Sequence, residues 1–119
     1  MKRILPIFSL LIIVSACNDI VQVEDISNKT VVLLAPTNQA VLNITDLTFS
    51  WQEVEEAESY HIQVATPTFE QALQIVVDST LSATSFSTTL ELGNYQWRIR
   101  AENSGYQTIY TTQSFTIEE

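Results

Sequence analysis

From Val31 to the end of the chain, apolar residues return at every second position, the rhythm of half-buried β-strands. Val31 to Leu34 reads as the first strand, stopped by Ala35-Pro36-Thr37-Asn38. Leu47, Phe49 and Trp51 alternate with Thr48 and Ser50 in the second. Tyr60, Ile62 and Val64 alternate with His61, Gln63 and Ala65 in the third. Leu73, Ile75 and Val77 share one parity in a fourth, and Phe86, Thr88 and Leu90 in a fifth. Tyr95, Trp97, Ile99 and Ala101 alternate with Gln96, Arg98 and Arg100 in the sixth, and Phe115 and Ile117 close the seventh.

Short alternating strands with polar breaks predict an all-β, seven-stranded antiparallel β-sandwich over residues 31–119, each sheet with one wet face. Trp51, Tyr60, Tyr95 and Trp97 are its expected structural core, joined by Phe49, Phe86 and Phe115. Each large aromatic ring buries roughly 150–250 Å², enough for a small domain without disulfides. Two stretches run against the pattern: 53–58 and 69–74 hold good helix formers. Both fall short of the roughly 12–15 residues an isolated helix needs, so they read as a loop with a helical turn and a turn into the fourth strand.

The first part of the chain has a different pattern. Lys2 and Arg3 precede an apolar run from Ile4 to Val14, and Ser15 and Ala16 lead to Cys17. A basic start, a short apolar stretch and small residues before a cut site make residues 1–16 a secretory signal, too short to span a membrane. Residues 17–30 are polar, with Asp19, Glu24 and Asp25, and read as a flexible tether; Ile20, Val21, Val23 and Ile26 leave room for part of it to dock on the domain. The formal charge of −9 at pH 7 becomes −11 once Lys2 and Arg3 leave with the signal. Such a chain offers no basic patch for nucleic acid and none for anionic head groups.

Val14-Ser15-Ala16-Cys17 resembles the lipobox of bacterial lipoproteins, which makes Cys17 the lipidation site and attaches the chain to a membrane by acyl chains. Cys17 is also the one cysteine in the sequence, so no internal disulfide competes for it. Trp51-Gln52-Glu53-Val54-Glu55-Glu56-Ala57-Glu58-Ser59-Tyr60 fits the W-x-x-V-x-x-A-x-x-Y pattern of bacterial fibronectin type III repeats. Leu90 to Ala101 is similar to their L-x-x-G-x-Y-x-W-R-V-R-A segment. This resemblance implies a fibronectin type III fold, immunoglobulin-like in its layering, with Tyr95 at the tyrosine corner. It departs from the family in lacking a proline before Tyr95, where Gly93 stands. Lipobox and sandwich together resemble small Bacteroidota lipoproteins displayed at the outer membrane, some of them on the cell surface. The implied function is a non-catalytic binding or spacer module for protein–protein interaction or assembly. The alternative is a surface glycan-binding accessory protein of the SusE type. A metal-binding protein or an enzyme ranks last, and no cofactor is expected.

The candidate chemistry is sparse. His61 is a single histidine on the outward parity of its strand, where a metal or triad site needs several converging groups. Glu53, Glu55, Glu56 and Glu58 form an acidic loop without a calcium-loop spacing, so solvation accounts for it. Arg98 and Arg100 share an outward face, with His61 and Gln63 expected beside them. They fit either cross-strand pairing with carboxylates or an anionic partner. Phe69, Tyr106 and Tyr110 lie off the core parity and are the possible ligand contacts, since exposed aromatic rings stack on sugars or anchor proteins. Their loops are expected to face away from the membrane if the N-terminal end of the sandwich faces it. Asp78-Ser79-Thr80 resembles the O-glycosylation acceptor of Bacteroidota. Asn28-Lys29-Thr30 and Asn43-Ile44-Thr45 are sequons that a bacterial chain leaves bare.

Overall fold

The computed structural model describes residues 22–119, so the signal segment and Cys17 lie outside the described residues. Eight strands follow in order: β1 (Leu33–Ala35), β2 (Ala40–Leu42), β3 (Asp46–Trp51), β4 (Ser59–Thr66), β5 (Gln74–Leu81), β6 (Ser85–Thr89), β7 (Gly93–Glu102) and β8 (Thr111–Ile117). They form a three-stranded sheet, β1-β3-β6, and a five-stranded sheet, β2-β8-β7-β4-β5. The helix-forming stretches at 53–58 and 69–74 form turns and bends, and no helix occurs among the described residues.

The alternating residues meet between the sheets. Phe49 and Trp51 come from β3, Tyr60 and Ile62 from β4, Tyr95, Trp97 and Ile99 from β7, and Phe115 from β8; all are buried. Phe49 packs edge to face with Trp97 at 5.0 Å and with Phe115 at 5.7 Å, and Tyr95 stacks on Phe115 at 5.2 Å. Such contacts add to the gain from burial itself. Trp51 and Trp97 place their indole Nε1 in this core without a partner. The core therefore rests on packing rather than on polar networks.

Three features depart from the sequence expectation. The first is an eighth strand. After Pro36 the chain turns through Thr37–Gln39 and crosses to the edge of the other sheet, where β2 pairs with β8 in parallel. Gln39 N donates to Ser114 O at 2.7 Å, and Asn38 Oδ1 accepts from Ser114 N at 3.1 Å, fixing the crossing. The sandwich is thus antiparallel except at this edge. The second is in β5. Val64 pairs with Val77 and Ala65 with Ile75, so Val76 is an unpaired bulge residue. A bulge reverses the facing of what precedes it. Leu73 is consequently 89% exposed and Ile75 45% exposed; of the three, Val77 alone is buried.

The third departure is at the N-terminal segment. Ile26, placed in the tether by sequence, is 0% exposed and belongs to the core. Glu24 O accepts from Asn103 Nδ2 at 2.8 Å, Lys29 Nζ donates to Glu55 O at 3.0 Å, and Val23 lies against Gly105. The folded unit therefore begins upstream of Val31. Burial of Ile26 and Val31, together with the hydrogen bonds at Glu24 and Lys29, offsets the chain entropy lost when the segment docks.

Candidate functional site

The two motif tyrosines hold the frame. Tyr60 OH accepts the buried amide of Val54 at 2.9 Å, and its ring stands edge to face with Trp51 at 5.7 Å. One hydroxyl thus closes the loop between β3 and β4. At the other end of the sandwich, Tyr95 OH donates to Glu91 O at 2.7 Å. Burial, with the nearby Glu91 charge, pushes the Tyr95 hydroxyl above its ordinary pKa. Gly93, at φ +154, opens β7 two residues before it.

On this frame the outer face of the five-stranded sheet carries the densest polar group. The register of β4 on β7 sets Gln63 opposite Arg98 and His61 opposite Arg100, as the shared parity implies. Asp78 of β5 stands beside Gln63, and Thr112 of β8 beside Arg98, so one row reads Asp78, Gln63, Arg98, Thr112 across four strands.

Two aromatic residues from opposite ends close over this row. The loop after β4 returns across the sheet, where Phe69 N donates to Gln96 Oε1 at 2.9 Å. Ala65, pointing outward beside Gln96, is buried. The Arg98 guanidinium lies 4.1 Å from the Phe69 ring centroid and 4.3 Å from that of Tyr110. Arg100 lies 4.8 Å from the same Tyr110 ring. Cation–π contacts of this length contribute about 0.5–1 kcal/mol at exposed sites and more when desolvated.

Hydrogen bonds fix the rest. Arg98 Nε donates to Gln63 Oε1 at 2.8 Å, and Arg100 Nε to Glu102 Oε2 at 2.8 Å. Tyr110 OH bonds His61 Nδ1 at 3.0 Å, while His61 Nε2 bonds Asp78 Oδ1. The His61 hydrogen bond holds the Asp78 carboxyl below its ordinary pKa, aided by Gln63 and by the charges of His61 and Arg98 against some desolvation. Arg100 has thus found a carboxylate, but from its own strand rather than from across the sheet. Arg98 is bonded to a neutral amide.

Of the three possible contact aromatics, the structure brings Phe69 and Tyr110 together on either side of Arg98. Tyr106 lies elsewhere, 41% exposed in the β7–β8 loop, where its backbone amide donates to Asn103 Oδ1 at 2.8 Å. That loop touches Val23 and Glu24, so Tyr106 sits at the end where the N-terminal segment docks. The expectation that its tip points away from the N-terminal end is therefore corrected. The four loop glutamates are solvent-exposed beside it, Asn103 Nδ2 reaching Glu56 O at 3.3 Å. Among the described residues, no group of three His, Cys, Asp or Glu could hold a metal ion. In Asp78-Ser79-Thr80, Asp78 is engaged by His61, Ser79 is half-buried, and Thr80 is exposed opposite His61.

The grouping of Arg98, Arg100, His61 and Gln63 follows from strand parity. The enclosure by Phe69 had no such signal, because it depends on a loop folding back over the sheet.

No family model matches the chain, and no curated protein sequence is similar to it. Solved structures are. The fibronectin(III)-like modules of Clostridium thermocellum CbhA superpose with a TM-score of 0.54 at 10% identity, covering 75% of this chain and 96% of theirs. The fibronectin type III domain of human fibronectin type III domain containing protein 3 gives a TM-score of 0.44 at 14% identity, covering 76% and 87%. With two sheets and no helix among the described residues, the domain is a β-sandwich of fibronectin type III-like fold.

Proposed function

We propose that the chain is a non-catalytic module of the bacterial cell envelope, anchored by a lipid on Cys17, that binds a partner protein through the outer face of its five-stranded sheet. The observation that carries the binding surface is Arg98, held between Phe69 and Tyr110 with Nε committed to Gln63. A side chain fixed in this way before any partner arrives loses little entropy on binding. Arginine and aromatic residues are also those that dominate protein interfaces.

The same geometry weighs against sugar stacking here. Sugar stacking needs an open aromatic face, and a guanidinium occupies one face of Phe69 while two guanidiniums crowd Tyr110. The anchor rests on the lipobox resemblance, and an outer-membrane address on the Bacteroidota resemblance.

Both parts can be tested in cells. A photo-crosslinking residue at Thr112 should capture an envelope protein, while the same residue at Thr48, on the outer face of the other sheet, should not. Equal capture at both positions, or none at Thr112, refutes the surface. A labelled fatty acid should be incorporated into the wild-type chain and not into Cys17→Ser. An unlabelled wild-type chain refutes the anchor.

A further inference from the structure

We propose that the group Arg98 takes from its partner protein is a single carboxylate, an Asp or Glu side chain or a C-terminus. This rests on the outer face being the binding surface and goes on to name its chemistry. Of the cations among the described residues, Lys29 is bonded to the Glu55 carbonyl and Arg100 to the Glu102 carboxylate. Among the described residues, Arg98 makes one hydrogen bond, from Nε to the neutral Gln63, and no carboxylate lies within ion-pair distance of it. Arg98 is half-buried, and neither of its terminal nitrogens is a fully buried atom without a partner.

A guanidinium whose Nε is taken still presents two parallel N–H groups from Nη1 and Nη2, at the spacing of the two oxygens of a carboxylate. Phe69 and Tyr110 set the position of that fork and shield it from water on two sides, which strengthens a charge-assisted bond. Its polar neighbours already have partners: Arg100 is paired with Glu102, and Asp78 is hydrogen-bonded to His61.

Charge decides how large the ligand's anionic part can be. The whole chain is at −9 and Asp78 stands in the same row, 56% exposed. A polyanion or a doubly charged phosphate meets that field with repulsion, whereas one carboxylate gains the local fork and little else. A uronic acid carries the right anion but meets rings already stacked with guanidinium groups.

The test is a nuclear magnetic resonance titration of the ¹⁵N-labelled full-length chain with three probes: acetyl-Gly-Glu-Gly-amide, its Gln counterpart and glucuronate. The Glu peptide should shift the Arg98 Nε–H, the Gln63 side-chain amide and the Thr112 amide, and the Gln peptide should bind about tenfold more weakly or not at all. Arg98→Lys keeps the charge but loses the fork. It should reduce the response at Gln63 and Thr112 by about tenfold, and Thr48→Val, on the outer face of the other sheet, should not. Equal responses to the Glu and Gln peptides, undiminished binding in Arg98→Lys, or tighter binding of glucuronate than of the Glu peptide overturns the inference. Capture at Thr112 in cells without carboxylate dependence in the titration rejects the carboxylate and leaves the binding surface standing. Absence of that capture rejects the surface, whatever the titration gives.

Discussion

Two tyrosine hydroxyls do different work in this domain. Tyr95 bonds a carbonyl four residues upstream and closes a local turn, whereas Tyr60 satisfies the Val54 amide inside the core. Tyr60→Phe leaves that buried donor without a partner and should cost about 1–3 kcal/mol in urea denaturation, with little change in slope. Asp78 gives a residue-level effect of a different kind. Its carboxyl pKa is lowered in the folded chain, so the stability it lends is complete above its ordinary value of 3.8 and lost as pH falls through the lowered one. The Tm difference between wild type and Asp78→Asn should therefore hold steady from about pH 5 to 6 and close below about pH 4. The motif resemblance joins Trp51, Val54 and Tyr60 in one segment, and the structure brings them together. Sequence spacing does not reveal that Arg98 is clasped, since neither aromatic residue is its neighbour along the chain or in register.

At the scale of elements, the strands easiest to read are those with strict alternation between two others: β3, β4 and β7. Their neighbours on both sides enforce the period of two. The edges were harder. β2 is three residues long and owes its place to the crossing after Pro36 rather than to any pattern of its own. In β5 the even spacing of Leu73, Ile75 and Val77 is misleading, because the bulge at Val76 turns the upstream pair outward. The N-terminal segment is the other boundary that composition misplaces: its polar residues suggest a free chain, yet one isoleucine anchors it. Ile26→Ala removes a fully buried side chain and should cost about 2–5 kcal/mol, measured by thermal or urea unfolding. A loss below half a kcal/mol would show that the segment does not belong to the folded unit.

For the whole molecule, the placement of the docked segment sets how the domain can stand. β4 begins and β7 ends at the same end as Val23, Glu24 and Ile26, and Phe69 reaches the sheet from the opposite end. The Arg98 row runs across the strands between these ends. With a lipid on Cys17, the row would stand to the side of the anchor rather than at the far tip. Lengthening the chain between Cys17 and Val23 with a flexible Gly/Ser insert should then lower partner capture at Thr112 without changing domain stability. Unchanged capture would indicate a partner not fixed in the same membrane.

The contact of Val23 with Gly105 also fixes a length. Five residues lie between it and Cys17, six steps along the chain, and a fully extended chain covers at most about 3.6 Å per residue, so roughly 20 Å is the longest reach available. With a lipid on Cys17, a domain on so short a leash would stay in a thin layer along the membrane, where a partner held in the same plane would meet it at high effective concentration even if the individual contact were weak. The modest grip of one arginine fork on one carboxylate is then sufficient, and release stays fast.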